Sequence, residues 1–296
     1  MRKCVAILLF LFFTCCVKGQ SLTGLYTGTI YNDTTHATQK YELTLNEADG
    51  HITGYSHVTF VADDRLYFGV RKVVGIVQED RLIIEEQQLL ENNFPESPAK
   101  GVHRTFTLAP VENTLKGSWL TNKTKLFRSV TGTADLAKQK DSIHSSLVER
   151  LTALKIIKPP EVAKADIKRI KLKKEPPPPI PYTARKGKQI ETIEVKGDSL
   201  SLSLYDNGVV DGDIVSVYLN GTPVYDKIML TERAAKRTIA VPRTGSITLT
   251  LVAESLGSIP PNTGLLIVMD GTERHAVYFS TDMETNNTLV IQRKKP

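Results

Sequence analysis

The segment SLSLSLYDNGVVDGDIVSVYLNG, residues 199–221, joins two runs of alternating polar and apolar residues through a loop rich in Asp, Asn and Gly. Successive side chains of a β-strand point to opposite faces, so each alternating run predicts a strand with one buried face. The loop between the runs carries Asp206, Asn207, Asp211 and Asp213. The segment therefore indicates an all-β fold, and its loop is either a tight turn or a cation site.

The N-terminal half of the chain repeats this alternation. From Ser21 to Ala137, short alternating segments recur about every ten residues and are separated by turn sequences such as EADG and QEDR. With no helical period between them, they predict a small antiparallel β-barrel of about eight strands over residues 20–137. Such a barrel can hold one ligand or be filled by its own side chains. The aromatic residues that could line its interior as a ligand site are Tyr26, Tyr41, Tyr55, Tyr67 and Trp119.

The middle of the chain changes character twice. Apolar residues at helical spacing in residues 138–158 predict a short amphipathic helix that begins near Asp141 as its cap. Residues 159–189 are rich in Pro and Lys and predict an extended basic linker. Between Lys155 and Lys188 there are eleven Lys or Arg against three acidic residues. The basic character of the protein therefore belongs to this segment rather than to either folded part.

Alternation resumes over residues 190–296 and predicts about seven strands in an immunoglobulin-like β-sandwich. Asn220-Gly221 is typical of a hairpin turn. Residues 192–208 and 238–257 share the order Thr-Ile-x-Val, turn, and then an apolar residue at every second place. This echo indicates either two similar strand pairs that face each other across the sandwich or a convergence of unrelated strands on one pattern.

The first 19 residues have the pattern of a signal peptide. Met1-Arg2-Lys3 is positively charged, the run from Val5 to Val17 is apolar, and cleavage is expected after Gly19. The apolar run is shorter than the roughly 20 residues of a spanning helix, so we expect no transmembrane segment. All three Cys residues lie in this signal, so the mature chain is predicted to contain no disulfide. We expect the protein to reach the periplasm, the cell surface or the extracellular space.

Two motifs carry a resemblance to a known type of module. The sequence LYDNGVVDGDIVSVYLNG, followed by LTER and later by ESLGSIPPNTGLLIV, resembles a small C-terminal β-sandwich module of exported proteins from Bacteroidetes-type bacteria. The resemblance covers about residues 192–294 and implies an exported protein with a sandwich fold, but no assigned activity. The N-terminal half looks like small lipocalin-type or avidin-type barrels through GLYTGTIY and LKGSWLT.

The acidic loop between the two alternating runs is the strongest candidate for a functional site, as a binding site for a cation. Calcium takes six to eight oxygen ligands, which closely spaced carboxylates and an Asn amide can supply. Asp206, Asn207, Asp211 and Asp213 are the candidate ligands, and Glu254 would add a further carboxylate if the echo reflects strand pairing. Alternatively, the same residues only form a turn through side-chain to backbone hydrogen bonds. No cofactor is required by the sequence, and Ca²⁺ is the one that it suggests.

Other constellations are weaker. His51 and His57 could form an inward zinc pair, or they are surface histidines beside a hairpin. Glu85 and Glu86 are adjacent, so on a strand they point to opposite faces and cannot act together. The sequence contains no Gly-x-Ser-x-Gly elbow, HExxH motif or phosphate-binding loop. We therefore expect that the protein is not an enzyme.

Together these features predict a non-catalytic secreted or cell-envelope protein with a binding or structural role. Its expected partner is an envelope protein or a glycan, contacted through the β-domains. The alternative is a lipocalin-like carrier that holds a small ligand in the barrel interior. No nucleic-acid partner is expected for the basic linker, because an exported protein rarely meets nucleic acid by design. The sequence leaves the oligomeric state open.

Overall fold

A computed structural model describes residues 21–96, 98–99, 101–140, 145–157 and 180–294. The predicted signal peptide, the predicted cap Asp141 and most of the predicted basic linker lie outside the described residues. Within the described part of the chain, no helix is both long enough and apolar enough to cross a membrane. The described residues are mostly β-strand, and the fold class is all-β as predicted.

The N-terminal domain is a closed antiparallel barrel of eight strands, which confirms the prediction. The strands are β1 Gly24–Asn32, β2 Ala37–Ala48, β3 His51–Ala62, β4 Arg65–Gln78, β5 Arg81–Asn92, β6 Arg104–Val111, β7 Thr114–Thr121 and β8 Thr131–Lys138. Each strand pairs with the next, and β1 also pairs with β8 to close the barrel. Alternate residues point inward, so Tyr41, Leu43 and Leu45 of β2 all join the interior core.

The turn between β2 and β3 shows how the local sequence specifies the meander. It consists of Asp49 and Gly50, whose φ angles are 51° and 73°. A two-residue hairpin turn of this kind needs positive φ at both positions. Asp tolerates the left-handed conformation, and glycine adopts it without a Cβ clash. The EADG sequence therefore forms the hairpin that the pattern predicted.

The C-terminal domain consists of two sheets packed face to face. Its strands are β9 Lys186–Val195, β10 Ser199–Asp206, β11 Asp213–Leu219, β12 Thr222–Met229, β13 Ala235–Ala240, β14 Ser246–Leu256, β15 Asn262–Asp270, β16 Glu273–Thr281 and β17 Thr285–Arg293. One sheet has the order β13-β10-β15-β16 and the other β12-β11-β14-β17-β9. The described residues contain nine strands in this domain, where the pattern predicted about seven.

The echo between residues 192–208 and 238–257 has a structural counterpart. The first segment runs from β9 into β10, and the second runs from β13 into β14. In each case the two strands lie in opposite sheets. Each segment thus spans both sheets, and β10 of the first pairs with β13 of the second within the four-stranded sheet.

Described residues before 190, within the segment predicted as linker, already contact the sandwich. Tyr182 stacks on Tyr218 with ring centroids 4.1 Å apart, and Arg185 donates a 2.7 Å hydrogen bond to the carbonyl of Ala253. Strand β9 starts at Lys186 and pairs in parallel with β17. The first residues of β9 are polar and largely exposed, because an edge strand buries little of either face. They therefore lack the polar and apolar alternation that would predict a strand.

The barrel packs on the outer face of the four-stranded sheet. The buried apolar residues at this contact are Leu66, Tyr205, Leu265 and Ile267. Beside them, the Leu66 amide donates to the carbonyl of Glu232 at 2.8 Å, and the Ala234 amide donates to the carbonyl of Asp64 at 2.9 Å. Strands β10 and β15 are therefore buried on both faces.

Candidate functional site

Among the described residues, one α-helix packs where the two domains meet. Helix α1 spans Ser146–Ala153, and its N-cap is Ser145, whose hydroxyl accepts a hydrogen bond from the amide of Val148. This cap lies four residues after Asp141, the expected start, which is outside the described residues. Leu147 and Leu151 are buried against the outer face of the barrel, where Phe68 belongs to the same cluster.

The barrel holds the helix N-terminus through Glu42. Its carboxylate accepts a 2.6 Å hydrogen bond from the Leu147 amide and lies 3.4 Å from both Lys40 Nζ and His57 Nδ1. Burial opposes ionisation, but Lys40, His57 and the Leu147 amide outweigh it and lower the pKa of Glu42 to about 2. Burial also lowers the pKa of His57, only partly offset by Glu42, so this imidazole is neutral near pH 7. Glu42 therefore carries a full charge at the helix N-terminus.

Helix α1 also contacts the sandwich, through Glu149 and Arg150. Glu149 accepts hydrogen bonds from the Val209 amide at 2.9 Å and from the Thr263 hydroxyl at 3.2 Å. Arg150 donates to the carbonyl of Gly208, and its guanidinium lies 3.2 Å from the ring centroid of Phe68. The helix thereby contacts the acidic loop of the sandwich through one acidic residue, Glu149, and one basic residue, Arg150.

Four carboxylates meet at this point, and we call Glu149, Asp206, Asp211 and Asp213 the acidic cluster. The six residues between β10 and β11 cross from one sheet to the other, which places Asp206 and Asp213 at the two ends of the crossing. Both are almost fully buried, with 1% and 2% of their surface exposed. Sequence reasoning missed Glu149, because only the tertiary fold brings the helix to the loop.

The cluster is electrostatically strained. Burial raises the pKa of Asp206 to about 8, and the charges of Glu149 and Asp211 add to the shift. Burial raises the pKa of Asp213 to about 8, with the charges of Asp211, Asp206 and Glu149 contributing. Burial likewise raises the pKa of Glu149 to about 7. Near neutral pH the cluster therefore retains protons that isolated carboxyl groups would have lost.

Several oxygens of the cluster are buried without a hydrogen-bond donor. They are one carboxylate oxygen each of Asp206, Asp211 and Asp213 and the side-chain amide oxygens of the neighbouring Asn207 and Asn262. Oxygen acceptors of this kind are the ligands that hard cations prefer. Among the described residues, however, no group of three or more His, Cys, Asp or Glu side chains is already arranged to hold a metal ion. An ion would have to draw these oxygens together.

The other oxygens of the loop support backbone structure. Asp211 accepts hydrogen bonds from the amides of Ser258 and Ile259, and Asp206 accepts one from Gly208 at 2.8 Å. Asn207 donates to the hydroxyl of Ser146 in α1 at 2.8 Å. The turn interpretation and the cation interpretation are therefore compatible, since each Asp uses one oxygen for the turn and leaves the other without a donor.

Glu254 is not part of the cluster. It lies on β14, in the sheet opposite β10, and its charge acts on Tyr218. The charges that raise the pKa values of Asp206 and Asp213 are those of the other cluster carboxylates, and Glu254 is not among them. The fourth carboxylate at the loop is Glu149 instead.

The predicted barrel ligand site is largely core. Tyr26, Tyr41 and Trp119 are buried in the interior cluster, and Tyr67 packs beside Phe60 with centroids 5.5 Å apart. The Trp119 indole donates to backbone carbonyls of neighbouring strands, and a side chain at Gly132 would collide with it. These rings therefore fill space that a carried ligand would need.

Tyr55 was wrongly placed in the barrel interior. It is an odd-numbered residue of β3, whereas Ile52 and Val58 are the residues of that strand that join the core. Tyr55 faces outward and packs in the cluster beneath α1. His57 shares this outward face and is buried by the helix, whereas His51 is exposed at the strand start. The two histidines are six residues apart along an extended strand, too far for a shared zinc ion.

The barrel interior also contains a buried carboxylate, that of Glu86 from the adjacent Glu85-Glu86 pair. Glu86 accepts hydrogen bonds from the Tyr41 hydroxyl at 2.7 Å and from the Ser56 hydroxyl at 3.0 Å. Its carboxylate lies 3.6 Å from a guanidinium nitrogen of Arg104 and 3.9 Å from one of Arg71. Glu86 is thus satisfied by its own neighbours and serves the packing of the interior.

An interdomain cleft of about 200 Å³ lies beside the acidic cluster. Its polar and aromatic lining includes Lys40, Lys188, Asn207, Thr263, Tyr278 and Asn287. Lys40 comes from the barrel and lies 4.0 Å above the ring of Tyr278, whereas the rest belong to the sandwich. The cleft therefore exists only where the two domains meet.

Comparison of the chain with protein-family models, with curated proteins and with solved structures finds no match.

Proposed function

We propose that this is an exported, non-catalytic binding protein whose two β-domains are joined into one unit by a cation, with Ca²⁺ as the candidate, and that it contacts an envelope protein or a glycan. The observation that carries the proposal is the acidic cluster at the domain junction. Asp206, Asp211 and Asp213 come from the sandwich, and Glu149 comes from the helix that is held on the barrel. A cation bound there would connect both domains.

The chemistry of the cluster favours a hard divalent cation. The available groups are carboxylate and amide oxygens, with no sulfur or imidazole among the cluster residues. Binding of Ca²⁺ would relieve the repulsion that raises the pKa of Asp206 and Asp213. Because both groups are almost fully buried, a role in holding an ion is better supported than a role in attacking a substrate.

The packing of the barrel interior favours this proposal over a lipocalin-like carrier. Tyr26, Tyr41 and Trp119 are part of the core, and Glu86 is engaged by interior side chains. Binding is better supported at the domain junction, where polar groups are buried without partners.

Isothermal titration calorimetry of Ca²⁺ into the chain from residue 20 to residue 296 tests the proposal. We expect saturable binding, and we expect its loss when Asp211→Asn and Asp213→Asn are combined. A control variant with Asp80→Asn and Asp226→Asn removes the same charge from exposed positions and should bind Ca²⁺ as the parent does. Absence of heat at millimolar Ca²⁺, or equal binding by both variants, would refute the cation site.

A further inference from the structure

The interdomain cleft offers two cationic side chains to the same small space. Lys40 lies on β2 of the barrel and Lys188 on β9 of the sandwich, and both line the cleft. Lys40 is partly balanced by Glu42 at 3.4 Å, whereas Lys188 is exposed. The lining therefore carries an excess of positive charge toward an occupant.

Two buried amides in the cleft have unused hydrogen-bonding atoms. The Nδ2 group of Asn287 has no acceptor, and the Oδ1 atom of Asn207 has no donor. Their remaining atoms are engaged, since Asn287 accepts from the Ser280 amide at 2.9 Å and Asn207 donates to Ser146 at 2.8 Å. Both side chains are at least 97% buried, with 1% and 3% of their surface exposed. A buried polar atom without a partner is costly, so each is suited to a group supplied by a ligand.

These features specify complementary chemistry. The two ammonium groups and the Asn287 amide donate to an anion, and the Asn207 oxygen accepts from a hydroxyl. The rings of Tyr278 and Phe279 supply an apolar wall. A cavity of about 200 Å³ lies below the size of drug-sized sites and suits a single small ring.

We infer that the cleft binds a carboxylated monosaccharide, such as a uronic acid residue of an acidic glycan. The carboxylate would lie between Lys40 and Lys188, and a ring hydroxyl would donate to Asn207. This inference names the ligand class of the glycan contact proposed above and rests on that contact. The Asn207 oxygen is common to both proposals, but Lys40 and Lys188 serve only this one, so variants of the two lysines test it separately.

Calorimetry or ligand-observed NMR with glucuronate on the chain from residue 20 to residue 296 provides the test. We expect saturable binding of glucuronate and at least tenfold weaker binding of glucose, which lacks the carboxylate. Lys188→Gln should weaken glucuronate binding about tenfold, and Lys40→Gln should do the same. Lys186→Gln removes an exposed lysine from the same strand outside the cleft lining and should leave the affinity unchanged.

Several outcomes overturn the inference. They are no binding of glucuronate at tens of millimolar, equal affinity for glucose, and an affinity unchanged in Lys188→Gln. Equal competition by inorganic phosphate also counts against it, because the cleft would then recognise anions in general. Titration of Ca²⁺ into Lys188→Gln separates the two proposals, since this variant should lose glucuronate binding and keep Ca²⁺ binding.

Discussion

Glu42 of the barrel accepts a 2.6 Å hydrogen bond from the backbone amide of Leu147, in the first turn of the helix that carries Glu149 to the sandwich. A carboxylate at a helix N-terminus stabilises both the unpaired amides and the helix dipole. The same helix supplies Glu149 to the acidic cluster two residues further along the chain. The position of the proposed cation site therefore depends on a contact made on the other domain.

Replacement Glu42→Gln should destabilise the protein by about 1–3 kcal/mol near pH 7, because it removes a buried charged acceptor. The folded pKa of Glu42 is lowered to about 2, so its contribution is present above the ordinary pKa of 4.5 and is lost as the pH falls toward 2. The deficit measured by urea denaturation should therefore shrink below pH 4.5. Glu191→Gln, at an exposed position of β9, is the matched control. A deficit that does not change with pH would argue against the ionic role.

The apolar contact between the domains makes a second prediction. Leu66 is fully buried and belongs to the cluster that includes Tyr205 of the sandwich. Leu66→Ala should cost about 2–5 kcal/mol in chemical denaturation, since a buried leucine leaves a cavity when truncated. Leu120→Ala, at a half-exposed position of β7, should change stability by less than about 0.5 kcal/mol. Similar losses in the two variants would mean that the Leu66 contact does not form in solution.

The architecture of each domain could be predicted because it follows from local pattern. Alternation of polar and apolar residues specifies the strands, and turn sequences such as Asp49-Gly50 specify the hairpins. The pairing of β1 with β8 then closes the barrel without a further sequence motif. The start of the sandwich at β9 could not be predicted, because its first residues are exposed and basic. The sequence alone does not choose between two caps for the helix, since both Asp141 and Ser145 have side chains suited to capping.

The candidate site was only half visible in the sequence. Asp206, Asp211 and Asp213 are neighbours along the chain, so their proximity could be predicted. Glu149 is 57 residues from Asp206 in sequence and reaches it only through packing of the helix between two domains. Glu254 was expected on the strength of an internal echo, but a repeat of strand pattern does not determine which sheet a strand joins. Tyr55 was misassigned for a similar reason. Alternation divides the residues of β3 between two faces of the strand, but only the fold determines which face points into the barrel.

The acidic cluster predicts an unusual dependence of stability on pH in the absence of divalent cations. The folded pKa of Asp213 is raised to about 8, so its favourable contribution is present below the ordinary pKa near 4 and is lost as the pH rises toward 8. In buffer with a chelator, Asp213→Asn should gain stability relative to the parent as the pH rises from 5 to 8.5, at about 1.4 kcal/mol per unit at most. Asp226→Asn should follow the parent at every pH, and parallel curves for Asp213→Asn and the parent would contradict the prediction.

Added Ca²⁺ should stabilise the protein more at pH 8 than at pH 5. At pH 5 protons already occupy Asp206, Asp213 and Glu149, whose pKa values are about 7 to 8, and compete with the ion. A concentration of Ca²⁺ 100 times its Kd contributes about 2.7 kcal/mol, which differential scanning fluorimetry detects as a higher Tm. Asp206→Asn should lose most of the shift. If Ca²⁺ raises the Tm equally at pH 5 and pH 8, or equally in Asp206→Asn and the parent, the ion binds elsewhere.

Occupancy of the acidic cluster should also strengthen the binding of glucuronate in the cleft. Thr263 lines the cleft, its amide donates to Asp213, and its hydroxyl donates to Glu149. Ionised carboxylates this close repel an anion, and Ca²⁺ removes the repulsion. At pH 8 we therefore expect about fivefold or more tighter binding of glucuronate with Ca²⁺ than with a chelator, and by linkage an equal effect of glucuronate on Ca²⁺ affinity. At pH 5, where the carboxylates are protonated, the effect of Ca²⁺ should be small. If calorimetry shows both ligands bound at pH 8 with no mutual effect, the two sites are independent and the shared contact through Thr263 transmits nothing.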